Sequence, residues 1–488
     1  MDSKFSSKQA LLFSIINYIG VAIGMISTLF IYPNDKEFLG IVRFIDGFAQ
    51  ILYPIMVFGA STALLNFQPQ LNAFLQRKLF SYSVVSIVFM ILFCTFFVSI
   101  FYFLEVTKNT EYYIYGFIIA VFLAFVDLMK RQAYNLQKIA VPTFFEKIIP
   151  KITLPLAFIL VLYFSFSYHQ ALRIYTFSFL IIFIAIAWYL LRIFKPVFSF
   201  NYQDLFQEIS KKEYYKYSLY AFCASLGSFF AFRIDSIMIP EFISNEANGD
   251  FNIGVNLANA LMIPATGVFA LYSPIISEAL KNNDFKILNL KYAEVAKNLY
   301  FIGILMFGCL LLGISDFIAL LPTAQKLAPT IPILYILGLN VILNMATGFN
   351  TEIIAYSKFY KFNLIAILSL AILNIGLNFL ILTQTYYGII GVAYASLFSM
   401  FIFNLIKMIF IYRKFKMVPF SMTYFKTVVL SIILLGICFV LPLDYFNKFG
   451  FIVRCILFSF GFMSIVFMTG WVPELNVNVI KIWKKLKS

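Results

Sequence analysis

Fourteen runs of nearly unbroken apolar residues, separated by short polar segments, make up most of this chain of 488 residues. The first seven run 11–32, 38–66, 79–103, 112–129, 145–167, 171–194 and 215–240. The others run 251–275, 298–321, 331–356, 361–383, 386–412, 424–443 and 449–471. A helix needs about 20 apolar residues to cross a hydrocarbon layer of about 30 Å, whereas a barrel strand needs about 10 of alternating polarity. These runs have the helical length and do not alternate. The pattern predicts an all-α polytopic membrane protein with about 14 transmembrane helices.

Composition agrees: 62% of the residues are apolar and 12% are charged, against about 25% charged in a soluble domain. The short connections leave no room for a folded soluble domain of about 50 residues. A receptor ectodomain, a fused ATPase and a tethered catalytic domain are thereby excluded. The 61 Phe read mainly as lipid-facing filler. The formal net charge of +15 is not a nucleic-acid footprint, because Lys and Arg are dispersed in short loops on one side. The first residues, the even-numbered loops and the tail hold 26 Lys and Arg, and the odd-numbered loops hold 5. Positive loops stay cytoplasmic, so both termini are assigned to the cytoplasm. The five cysteines lie inside apolar spans without C-x-x-C spacing, and the single histidine, His169, builds no metal site alone. No metal ligands and no catalytic residues are assigned.

Two longer cytoplasmic loops, Tyr202–Lys216 and Ser277–Asn298, read as interfacial amphipathic helices; the first places Leu205, Phe206 and Ile209 on one face. A faint repeat relates the halves. Gly20 precedes Pro33 as Gly227 precedes Pro240, and spans 2 and 8 carry mid-helix prolines, Pro54 and Pro264. The repeat predicts two six-helix lobes plus two C-terminal helices. The N-terminal lobe is 1–195, a cytoplasmic linker 196–214, the C-terminal lobe 215–412, and 413–488 holds the additional helices and a basic tail. Gly20 and Gly24 form a G-x-x-x-G pattern that reads as a close-packing face.

Polar residues inside spans must face protein or water. Span 1 carries Ser14, Asn17 and Thr28; span 2 carries Arg43, Asp46, Gln50 and Tyr53 at helical spacing; span 7 carries Arg233 and Asp235; span 8 carries Asn252, Asn256 and Asn259. These stripes sit at equivalent positions in the two halves and would line a shared cavity. Two readings of Arg43 stay open. It pairs with Asp46 at i,i+3 as structural glue, or it joins Arg233 in attracting a phosphorylated substrate, whose oxygens match a guanidinium fork. Lys147 and Lys151, near the inner end of span 5 with its Pro150 and Pro155, either extend a cationic lining inward or meet lipid phosphates. Lys407 and Arg454 lie close to span ends, where long side chains snorkel to water. Asp127 and Glu352 are candidates for proton coupling. No G-x-x-x-x-G-K-[ST], H-E-x-x-H or G-x-S-x-G motif is present.

The stretch SPIISEALKNNDFKILNLKYAEVAKN from Ser273 resembles the loop after span 8 in bacterial oligosaccharide flippases of the Wzx type. TGFNTEIIAYSKFYKFN (Thr347–Asn363), LNIGLNFLI (Leu373–Ile381) and YGIIGVAYASL (Tyr387–Leu397) resemble their spans 10 to 12. So does the opening, with Asn17 and the FLGIVRF lead into span 2. The lead into span 12 reads Thr383-Gln-Thr-Tyr-Tyr-Gly388 and lacks the proline of the family's IPxYG. The superfamily also includes multidrug extruders and the lipid II flippase. The resemblance implies two lobes rocking between inward and outward openings, with spans 1, 2, 7 and 8 around the cavity. It also implies cavity arginines that hold the diphosphate of an undecaprenyl-linked sugar.

The expected function is a flippase for a lipid-linked oligosaccharide in surface polysaccharide biosynthesis, in the bacterial cytoplasmic membrane. No cofactor is assigned beyond coupling to an H+ or Na+ gradient. Expected partners are membrane lipid, the lipid-linked oligosaccharide, and a glycan polymerase or glycosyltransferases, with no nucleic acid. The alternatives are a small-molecule exporter of the same fold and, behind it, a membrane-embedded glycan polymerase or ligase. The substrate-binding candidates are Asn17, Arg43, Asp46, Gln50, Arg233, Asp235, Asn256 and Asn259. Reporter fusions after Gln76, Lys212 and Lys358 should read cytoplasmic and a fusion after Lys108 external; two inversions would end the fourteen-span topology.

Overall fold

The computed structural model describes residues 19–104, 108–199, 201–441 and 449–471, and among them every regular element is helical. Among the described residues, twelve helices are long and apolar enough to cross a membrane, or thirteen when one bent pair is taken as a single span. The expected first span, 11–32, begins outside the described residues; its described part belongs to a shorter apolar helix, Ile19–Asn34 (α1).

Contacts divide the chain into two units, one of residues 1–253 with 375–389 and one of 254–374 with 390–488. The first unit contains α1, α2 (Lys36–Val57), α3 (Ala60–Phe67), α4 (Ala73–Phe103), α5 (Tyr113–Asn135), α6 (Ala140–Phe164) and α7 (Tyr168–Ile193). It continues through α8 (Gln203–Glu208), α9 (Lys211–Phe232), α10 (Asp235–Phe242) and the first half of α11 (Asn245–Ala260). Within this unit α9 packs on α2 and α3, and α10 packs on α2. Local signals start these helices. Asp35 caps α2 by accepting the Phe38 N–H at 2.9 Å, Asn72 caps α4 through Leu75, and Ser167 and Gln170 form a reciprocal capping box at α7.

Span 2 is broken. The Phe58 N–H bonds the Pro54 carbonyl, Phe58 and Gly59 take positive φ of 44° and 74°, and α3 starts at Ala60. A Cβ on Gly59 would lie 2.0 Å from the Ser218 carbonyl oxygen, so α9 crosses the break at backbone contact. The N-terminal half of α2 meets α11 in the same way. A Cβ on Gly40 would lie 1.7 Å from the Asn245 carbonyl oxygen, and one on Gly249 would lie 2.1 Å from that of Lys36. An ion pair, Lys36 to Asp250 at 2.7 Å, and the Asn248 amide donating to the Gly40 carbonyl at 2.8 Å fasten the crossing.

The second unit holds the rest of α11, α12 (Ile263–Lys281), α13 (Phe285–Ala319), α14 (Ala324–Leu327), α15 (Ile331–Ala346) and α16 (Asn350–Tyr356). Most of α17 (Tyr360–Gln384), α18 (Gly388–Phe415), α19 (Met422–Val440) and α20 (Gly450–Thr469) complete it. The long α13 is its axis, packing on α12, α15, α19 and α20. Tyr292 and Phe349, fully buried, anchor one cluster; Phe458 and Phe462 of α20 insert against α13 in others. The outward faces are apolar, with Phe89, Leu92 and Phe96 of α4 exposed. That suits a surface whose solvent is hydrocarbon.

Four expectations are corrected. Tyr202–Lys216 is not one surface helix: α8 ends at Glu208, and Ser210 caps α9, which starts at Lys211. The face of α8 is used by protein, since Leu205 and Ile209 are buried and Asp204 bonds Lys78 of α4 at 2.6 Å. That bond holds the Asp204 carboxyl below the usual carboxylate range. Ser277–Asn298 divides likewise into the end of α12 and the beginning of α13, whose N-cap is Asp284. Pro264 lies in the first turn of α12, after a break at Leu261–Met262, and not in mid-helix; a proline costs no backbone bond there. In the Gly20/Gly24 pattern, Gly20 faces the Lys151 side chain, and among the described residues nothing closes on Gly24.

The glycine crossing is testable. Gly40→Ala overpacks a backbone contact and should cost at least about 1–3 kcal/mol, seen as a lowered midpoint of thermal unfolding in detergent. Gly24→Ala, with nothing within 4 Å of the new methyl, should leave the midpoint unchanged.

Candidate functional site

The polar stripe of α2 is the starting point, because α2 buries Ile41, Val42, Phe44 and Ile45 around it. Arg43 lies seven residues into the helix, about 10 Å from its start. Its guanidinium meets the Asp46 carboxylate at 3.2 Å. The other oxygen of Asp46 accepts the Tyr175 hydroxyl of α7 at 3.0 Å. Tyr32 lies within electrostatic reach of both charges. The Nε of Arg43 is buried without a partner.

Arg233 enters from the break between α9 and α10, where the helix axis turns by 49°. It ends α9 with its N–H on the Phe229 carbonyl at 2.8 Å, and its side chain is solvent-accessible. It acts electrostatically on Arg43 and Asp46. Arg43 therefore pairs with Asp46, and the exposed Arg233 adds a second positive charge within electrostatic reach of that pair. A second guanidinium beside a paired one leaves donors free for a further anion.

A second cluster lies further along α2. Tyr53 is in the field of Asp127, Lys130, Arg131 and Glu146. Lys130 holds both oxygens of Glu146 at 3.0 Å, and Lys147 approaches the same carboxylate at 3.9 Å. Arg131 meets Asp127 at 3.5 Å, and Ser61 donates to that carboxylate. Lys151, a turn beyond Lys147, feels its like charge. Three cations thus meet two carboxylates, with Lys151 beside Lys147. The opposite face of α2 is apolar and lines a cavity of about 430 Å³ with Phe44, Phe48, Phe93, Phe97 and Tyr113.

The structure brings together Arg43, Asp46 and Arg233, with Gln50 half-buried a turn further along α2. Asp235 is buried instead against α17, where it accepts the Asn378 amide. Asn256 and Asn259 belong to the second unit, half-buried and exposed respectively. Asn17 lies outside the described residues. Tyr175 and Asn378 escaped the sequence reading. Tyr175 sits in a span with no polar stripe, whereas the four-residue spacing of Asn374 and Asn378 in LNIGLNFLI was a usable signal. Lys407 does not snorkel: it is 1% exposed, held by Thr351 at 2.7 Å and covered by Phe403. Arg454 approaches Asp316 at 3.8 Å.

These features define a class: a multi-pass helical membrane protein with charged clusters at membrane depth. No protein-family model matches the chain, and no curated protein does. Solved structures do match. The lipid II flippase MurJ, in an inward closed conformation, aligns with a TM-score of 0.72 at 18% identity, covering 94% of this chain and 99% of its own. An inward-facing multidrug resistance MATE family transporter of the MOP superfamily aligns at 0.63 and 13% identity, covering 81% and 94%. A MOP superfamily transporter from Pyrococcus furiosus aligns at 0.50 and 12% identity, covering 84% and 93%. This chain has the fold that MurJ and the MATE transporters share.

The Arg43–Asp46–Tyr175 linkage makes a stability prediction. Tyr175→Phe removes one hydrogen bond to a charged group and should cost about 1.5–3 kcal/mol. Asp46→Asn leaves the Arg43 guanidinium without its ion-pair partner and should cost more, about 3–5 kcal/mol. Thermal unfolding in detergent gives the order; equal midpoints for both variants and the wild type would refute the linkage.

Proposed function

We propose that this protein is a flippase that moves a lipid-linked oligosaccharide, carried on undecaprenyl diphosphate, across the bacterial cytoplasmic membrane. The observation that carries the reading is a second guanidinium, Arg233, within electrostatic reach of the Arg43–Asp46 pair. A diphosphate supplies the missing negative charge and accepts the bidentate donors that Arg43 and Arg233 offer. The cationic set of Lys130, Arg131, Lys147 and Lys151 continues the attraction along α2 toward the cytoplasmic side. The fold shared with a lipid II flippase supports a lipid-linked cargo.

In this reading the halves are the rocking lobes, 1–195 and 215–412, joined by 196–214, and 413–488 adds two helices. Both termini are cytoplasmic. Asn17 and Gln50 from one half, and Asn256 and Asn259 from the other, hydrogen-bond the sugar; Asp235 positions span 7 through Asn378. No bond in the cargo is made or broken, so the protein is not an enzyme. Binding and an H+ or Na+ gradient shift an equilibrium between two conformations. A glycan polymerase or glycosyltransferases act before and after it. The second reading, export of a small molecule, rests on the likeness to a multidrug MATE transporter.

The test is surface-glycan export in a deletion strain. Arg43→Ala and Arg233→Ala should each lower export at least about tenfold, the order of a lost charge-assisted contact, with normal protein levels. Arg43→Lys should restore it partly, because the fork is lost. Full rescue by the Arg43→Ala/Asp46→Ala double variant would reduce Arg43 to structural glue. Changed drug susceptibility with unaffected glycan would favour the exporter.

A further inference from the structure

The second unit contains a charged group that the diphosphate reading does not use. Lys407 of α18 is wholly enclosed, at 1% exposure. Its ammonium has three donors, yet one hydrogen bond is formed, to the Thr351 hydroxyl at 2.7 Å, with the Phe403 ring 3.8 Å away. Glu352, the next residue along α16, is the one charged group acting on it among the described residues, without closing a contact ion pair. Glu352 in turn acts on Tyr292 of α13, whose hydroxyl is buried without a partner. A buried ammonium that lacks a contact carboxylate is expensive.

This group sits beside a helix interruption. The helix of span 10 stops at Ala346 and resumes at Asn350, through Gly348 at φ +60°. Asn404, three residues before Lys407 on α18, bridges the interruption. Its side-chain oxygen accepts Thr347 at 3.3 Å from one side and Asn350 at 3.0 Å from the other, while its own amide nitrogen is buried and unpartnered. Lys407 grips the first turn beyond the break. Broken helices at membrane depth are where transporters place ion sites.

We propose that Lys407 and Glu352 together bind one exchangeable proton, and that its binding sets the angle between α15 and α16. With the proton on the amine, Lys407 is an ammonium and draws the Glu352 carboxylate into contact, turning α16 toward α18. When the proton leaves to water, the neutral amine keeps only the Thr351 hydroxyl, and α16 relaxes to the arrangement held by Asn404. No covalent bond changes. The inference deepens the coupling step of the proposed function and does not depend on which cargo is carried.

Hydrogen–deuterium exchange of the full-length protein in lipid nanodiscs tests it, following the peptide that spans 346–357. After correction for intrinsic exchange, protection of this peptide should differ about fivefold or more between about pH 6 and about pH 8.5, as for a local opening biased by one charge. Lys407→Met and Glu352→Gln should flatten the difference. Lys407→Arg, which stays charged, should hold the low-pH pattern throughout. Should Lys407→Met not fold, Thr351→Val keeps both charges and should shift the transition. Wild-type protection independent of pH, or an unchanged pH dependence in Lys407→Met, would overturn the proposal. Arg43→Ala should keep the pH-dependent exchange, so loss of the glycan reading leaves this site standing, and the converse holds as well.

Discussion

A charge carried into hydrocarbon finds no water, so the protein must supply its solvation from side chains and backbone. Every polar cluster described above follows from that constraint. Asp46 is tolerated on α2 because Arg43 and Tyr175 occupy its two oxygens. Glu146 is tolerated on α6 because Lys130 takes both of its oxygens. Asp235 is held by Asn378. Where compensation is complete, the cluster reads as structure. Where it is incomplete, at Arg43 with Arg233 and at Lys407, the molecule has left electrostatic room for something else.

The helix breaks have the same logic. A backbone that leaves the α-helix exposes donors and acceptors that need partners. At Phe58–Gly59 the chain turns through left-handed conformations, and the Ser218 backbone closes over the glycine. At Arg233 the end of α9 places a guanidinium where a continuous helix would have turned it elsewhere. At Thr347–Phe349 the side chain of Asn404 spans the gap. The two candidate sites of the molecule both lie at such interruptions, one in each unit, and each uses side chains of a neighbouring helix to hold the broken ends.

Close backbone contacts then fix how the helices may move. Gly40 and Gly249 let α2 and α11 touch at main-chain distance, with Lys36–Asp250 and Asn248 alongside. Such a contact has little slack, so a change in the direction of α11 would open it as a unit. The apolar cavity behind α2 has walls of large aromatic rings, Phe44 and Phe48 stacked on Tyr113. It keeps the other face of the same helix in hydrocarbon surroundings.

The sequence by itself determined the membrane class, the helical character of the spans and the charge asymmetry, and it placed Arg43 and Asp46 on one face of α2. All of these follow from local composition or from spacing within one helix, where geometry is set by 3.6 residues per turn. It also marked Pro54 and the polar stripe of α2. Only the tertiary structure decided that Tyr175 completes Asp46, that Asp235 turns to Asn378, and that Leu205 and Ile209 face protein and not lipid. The reading of Lys407 as a snorkelling side chain failed for the same reason. Distance from a span end can be counted along the chain, but enclosure depends on which helices pack around that end, and uniformly apolar spans carry no periodicity that says which neighbour they choose.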